Sequence, residues 1–181
     1  MTTDMTTGDD SSAWADAHDA LCRELGFLLV CAGELEAAVL ELYQVVTRRA
    51  WPDIVAEARG WTLGVLVRNY LDAHLASEPA PHVERARQLQ DRLHAAIRGR
   101  NHHVHAIYRI DTPAAFVRGR HPRAGVVRAE LVRMQPQHVR DVADELARLT
   151  SDLQDLLDDA VTAIGEPPAA RVDVETKDLT R

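Results

Sequence analysis

LCRELGFLLVCAGELEAAVLELYQVV, residues 21–46, decides the fold. Within it Leu21, Leu25, Leu28, Ala32, Leu35, Val39, Leu42 and Val46 recur at alternating steps of four and three. Side chains spaced in this way fall on one stripe of an α-helix. Sustained from Leu21 to Val46, the stripe predicts a long helix laid at a shallow angle along another. Ser11 or Ser12 can cap its start, with Asp16 and Asp19 favourable near the N-terminus. Gly26 and Gly33 each cost a helix about 1 kcal/mol relative to alanine, and each would let a neighbour approach closely. Glu36 lies beside the seam, placed either to meet the arginines of another helix or to sit in water.

A matching seam closes the chain. Val139, Val142, Leu146, Leu149, Leu153, Leu156, Ala160 and Ile164 step by threes and fours between Pro136, a good first helical residue, and Gly165, a good stop. Pro167-Pro168 follow. Between the two seams, Thr47 to Gly60 reads as a break in which Pro52 begins a short helical piece. Thr62 caps a second principal helix whose apolar side is Leu63, Leu66, Val67, Tyr70 and Leu71, ending near Ser77 before Pro79 and Pro81. A third runs from about His82 to Tyr108, with Leu89, Leu93, Ile97, Arg100, Val104 and Ile107 on one face. Residues 109–134 change character. Ala115-Phe116-Val117 and Val126 to Val132 are β-rich around a Gly/Pro-containing stretch, which predicts a β-hairpin or extended excursion. The expectation is an all-α, up-and-down four-helix bundle over residues 13–164, with a β-rich insert at 109–134 between the third and last helices. Residues 1–12 and 165–181 read as disordered tails.

Bulk properties narrow the function. At 181 residues the chain is one domain by size, and its 4% aromatic content leaves aliphatic side chains to fill the core. The formal charge of −7 speaks against general coating of nucleic acid. The charge is uneven, however. From Glu84 to Arg133 eleven arginines face only Glu84, Asp91, Asp111 and Glu130, leaving that stretch at +7. Lys177 is the only lysine, an arginine bias of the kind found in GC-rich bacterial coding. Cys22 and Cys31, nine apart on one predicted helix and so about 13 Å along its axis, are too far apart to bridge. Two lone thiols suit a reducing cytoplasm. No apolar run reaches membrane-spanning length, and residues 1–12 are acidic and polar, unlike a signal peptide.

The chemistry concentrates in Arg98-Gly99-Arg100-Asn101-His102-His103-Val104-His105-Ala106-Ile107-Tyr108. Arginine offers a permanent cation whose planar fork fits phosphate oxygens. Histidine can give or take a proton near neutral pH. Together they can hold a phosphodiester and move a proton without a metal. On a continuous helix Asn101 and His105 share a face, Tyr108 extends it, and Arg100 borders the apolar seam. His102 is three positions before His105 and falls near the same face, while His103 points elsewhere. A metal site at His102, His103 and His105 is the weaker alternative. Adjacent histidines on a helix point about 100° apart, and no cysteine or carboxylate is placed to complete a tetrahedral set. No metal and no cofactor are expected.

Arg100-Asn101-x-x-x-His105 resembles the signature of the HEPN superfamily, all-α domains whose motif is arginine, a polar residue that is often asparagine, and a histidine a few positions later. The resemblance covers the layout of residues 13–164, and its specific part is about a dozen residues. It implies a homodimer in which two copies of the motif line one cleft, and a metal-independent endoribonuclease that leaves 2′,3′-cyclic phosphate ends. Under it His105 is the general acid or base, Arg100 stabilises the phosphorane and Asn101 orients one of them. Arg98, His102, Tyr108 and Arg109 become substrate-binding residues. It also resembles HEPN toxins paired with an antitoxin protein, in which a tyrosine two positions after the histidine is the modification target. Here Tyr108 stands three after, and Asp111 resembles the acid that often follows. A toxin or defence role against RNA is the implied function. The other function the resemblance allows is a non-catalytic, dimeric HEPN-like binding or interaction module.

Overall fold

The structure, a computed structural model, describes residues 8–76, 81–112, 115–120 and 132–165. Helix dominates them. In chain order they form α1 (Gly8–Thr47), α2 (Trp51–Ala58), α3 (Leu63–Ala76), α4 (Pro81–Val104), β1 (Ala106–Thr112), β2 (Ala115–Arg120), β3 (Val132–Met134) and α5 (Pro136–Ile164). The expected tails, apart from residues 8–12 and 165, and most of the expected strand from Val126 lie outside the described residues. No helix among the described residues is long and apolar enough to cross a membrane.

Contacts divide the chain into two compact units, Met1–Leu35 with Asp91–Ser151, and Glu36–Gln90 with Asp152–Arg181. In the first unit both heptad seams face inward. Leu21, Leu28, Cys31 and Leu35 of α1 are buried, as are Leu93, Ala96 and Ile97 of α4 and Val139, Ala143, Leu146 and Leu149 of α5. Each buried leucine contributes about 1.5–3 kcal/mol by removal from water. α1 and α5 run in the same direction here: Glu24 and Phe27 of α1 meet Arg140, at 3.4 Å and 4.2 Å, and Cys31 lies near Asp144. α4 runs against α5, with Arg92 pairing Glu145 at 3.0 Å and Gly99 lying under Val142. In this unit the first and last helices therefore do not oppose each other, as a strict up-and-down alternation of four would require. In sequence α2 and α3 both intervene between α1 and α4, so the described residues form five helices rather than four. Burial pushes the Cys31 thiol above its ordinary pKa, with Glu34 and Asp144 adding to the effect.

The insert is a three-stranded antiparallel sheet in the order β1-β2-β3. Tyr108 lies opposite Arg118, Arg109 opposite Val117, and Phe116 opposite Met134, with an irregularity between Ile110 and Thr112. Met134 is buried, so β3 is tied to the core of this unit.

The second unit packs the later part of α1 with α2, α3, the first turns of α4 and the end of α5. Val39, Leu42, Ile54, Leu66, Val67 and Leu156 form its interior, and Tyr70 is fully buried among them, its phenol pushed far above its usual pKa by desolvation. α1 stops at Arg48, which takes a left-handed φ of 53° and donates from Nη1 to the Ile164 carbonyl at 2.6 Å. α5 ends as expected at Gly165, whose φ of 90° lets its N–H reach the Val161 carbonyl at 2.8 Å. Thr62 caps α3 by accepting from the Val65 N–H at 3.3 Å. Arg85 of α4 pairs with Asp155 and Asp159 of α5 at 3.3 Å and 2.7 Å.

Two helix boundaries also need correction. Ser11 and Ser12 lie inside the first helix, which is described from Gly8, rather than before its start. The helix carrying the motif ends at Val104, not Tyr108. Ile107 continues the helical step from Val104, but Ala106 to Thr112 pairs with β2, and that hydrogen-bonded ladder overrides the helical spacing.

Candidate functional site

The last two turns of α4 carry the Arg-Asn-His set into a helix end with little slack. His105 alone stands between α4 and β1, and its N–H still donates to the Asn101 carbonyl at 3.3 Å. That bond keeps Asn101 and His105 one turn apart on the same exposed face. Arg100 is half-buried and donates from Nη1 to Asn101 Oδ1 at 2.9 Å. Its Nε is buried and makes no hydrogen bond among the described residues. A buried donor left in this way costs about 1–3 kcal/mol, which an incoming acceptor would offset. The His105 ring is exposed, with no hydrogen-bond or ion-pair partner among the described residues. Arg98 is exposed on the same helix. Arg109 sits on β1 opposite Val117, and its side chain is outside the described residues.

Tyr108 goes elsewhere. Because the chain is a strand by that point, its ring turns back onto α4 rather than extending the His105 face. Its hydroxyl lies 2.8 Å from His103 Nδ1 and 3.3 Å from the His103 carbonyl oxygen. His103 is buried, 4% exposed, so it serves packing. His102 is half-buried and lines a second recess of about 320 Å³ with His103, Gly99, Arg133, His138 and Val142. The sequence reading missed His138 and Arg133 there. His138 caps α5: its Nδ1 accepts from the Gln135 N–H at 2.9 Å, the reciprocal half of a capping box. The signal available was a histidine two positions after Pro136, the usual place of that back-reaching side chain. Gly99 was also passed over. A Cβ there would stand 3.2 Å from Val142 Cγ1, so glycine lets α4 approach α5 just before the motif.

Among the described residues no three His, Cys, Asp or Glu side chains are grouped to hold a metal ion. What the motif offers is one fixed cation, one amide that orients it, and one accessible proton carrier. No family model matches the chain, and neither a curated protein nor a solved structure matches it.

Proposed function

We propose that the protein is a metal-independent endoribonuclease of HEPN type, acting in the cytoplasm as a homodimer in a toxin or defence role. The observation that supports it is the end of α4, where Asn101 holds the Arg100 guanidinium beside an exposed His105. In the proposed step His105 takes the proton of an RNA 2′-hydroxyl as that oxygen bonds to the adjacent phosphorus. The bond from phosphorus to the 5′-oxygen breaks, and that oxygen takes a proton from the His105 of a second copy. The products are a 2′,3′-cyclic phosphate and a 5′-hydroxyl. Arg100, with a buried Nε not yet hydrogen-bonded, meets the charge that builds on the phosphorane. Arg98 and Arg109 are the candidates for neighbouring phosphates, and His102 remains a candidate substrate ligand beside them.

The test is RNA cleavage by the purified protein in EDTA. Activity should persist, because the reacting groups are a proton carrier and a fixed cation. His105→Ala should lower it by about 10²–10⁴-fold, the usual loss for an acid–base group. Arg100→Lys should also be damaging, since an ammonium does not reproduce the planar fork. Cleavage that survives His105→Ala, or that requires added metal, overturns the reading. A wild type that leaves RNA intact transfers the site to the other reading, a dimeric binding module without chemistry.

A further inference from the structure

One recess belongs wholly to the second unit and has no part in the motif. It holds about 740 Å³, within the roughly 300–1,000 Å³ typical of small-molecule sites. Glu36 and Leu40, one turn apart on α1, form one wall; Trp51 and Val55 of α2 form another; Trp61 and Leu66 close it. The recess is preformed. Gly60, at a φ of 83°, turns the chain so that the Trp61 N–H reaches the Ala58 carbonyl at 2.9 Å. The Trp61 ring meets Tyr43 edge-on at 6.2 Å, and the Tyr43 hydroxyl donates to Glu57 at 3.3 Å. Arg49 pairs with the same carboxylate. Trp61 is therefore held before any ligand arrives.

Charge decides what such a site takes. Glu36 is half-buried and lines this recess, and among the described residues its carboxylate makes no hydrogen bond or ion pair. Among the described residues Glu36 meets no arginine of another helix, one of the two places open to it in the sequence. Arg59, also on the lining, is exposed, so solvent screens its charge more than that of the half-buried Glu36. An indole face attracts a cation through its quadrupole, the more so where the pair is shielded from water. Two indoles and one unpaired carboxylate in a single recess thus favour the same sign of ligand. We propose that this recess binds a small organic cation with an apolar, flat body, its ammonium group against Glu36 and its body between Trp51 and Trp61.

Three probes of one shape separate the possibilities: phenethylamine (a cation at neutral pH), 2-phenylethanol and 3-phenylpropionate. The readout is the indole N–H signals of the full-length protein by NMR, with Trp14, outside the recess, as internal control. Phenethylamine should shift Trp51 and Trp61 and bind about tenfold more tightly than 2-phenylethanol, with 3-phenylpropionate weakest. Glu36→Gln, close in shape, should erase the preference for the cation and leave 2-phenylethanol binding unchanged. Trp61→Phe should weaken the cation several-fold while the thermal transition shows the fold retained. The proposal is overturned if the anion binds as well as the cation, if Glu36→Gln has no effect on the preference, or if no probe moves Trp51 and Trp61 at millimolar concentration. The RNA-cleavage assay does not involve this recess, so either idea can fail without the other.

Discussion

Tyr108 and His103 show how one residue's role depends on which element it joins. Read as helix, Tyr108 extends the face of His105 and reaches for substrate; as strand, it meets a buried imidazole. The spacing of Arg100, Asn101 and His105 was legible because all three precede the end of α4 or share its last bond. The partnership of His103 with Tyr108 was not legible, since it requires the chain to double back. Tyr108→Phe should therefore act on stability. Removing the hydroxyl takes a partner from a buried ring, a loss of about 1–3 kcal/mol. Chemical denaturation of the variant measures it, and RNA cleavage, where present, should change little. A large fall in cleavage with unchanged stability would return Tyr108 to the substrate site.

At the scale of elements, the two heptad seams were read correctly because they encode burial directly. Leu28, Leu35, Val39 and Leu42 of α1 and Leu146, Leu149, Leu153 and Leu156 of α5 are all fully buried. Leu149→Ala should cost about 2–5 kcal/mol, the range for a leucine deleted from a packed core, whereas Leu29→Ala, at an exposed position, should cost little. Equal losses at the two positions, compared by denaturant unfolding, would contradict the inward direction of the seam. Periodicity located the helices but not the end of α4, because β pairing is a non-local event that local spacing does not record. It also left helix direction open. The parallel course of α1 and α5 in the first unit depends on contacts such as Glu24 with Arg140, far apart in sequence.

At the scale of the whole molecule, the proposed homodimer has a candidate surface. Leu29 and Val30 of α1 are 52% and 57% exposed, and Gly26 and Gly33 flank them with nothing within 4 Å of an added Cβ. Glycines that no part of the described chain approaches are consistent with approach by a second copy. Sedimentation should give twice the chain mass at micromolar concentration, and the double variant Leu29→Lys with Val30→Lys should sediment as a folded monomer. A wild type already monomeric would remove both the dimer and the two-copy cleavage site. The basic stretch from Glu84 to Arg133 is only partly available to a polyanion. Arg85 and Arg92 are engaged with acids of α5, whereas Arg98 and Arg100 have no acidic partner among the described residues.

The one-residue junction at His105 gives the chain a phase. Side chains of a helix advance by about 100° per residue, but those of a strand alternate by 180°. A single alanine inserted between His105 and Ala106 would leave α4 and its motif untouched, yet it would shift β1 by one place against β2 or turn Tyr108 to the opposite face of the sheet. Two inserted alanines would restore the original face. Thermal stability should therefore fall with one added residue and recover in part with two, an odd–even pattern that a flexible linker would not produce. The connection tolerates changes of length by parity rather than by size, so the sheet and the motif helix are coupled through a count of residues as well as through contacts.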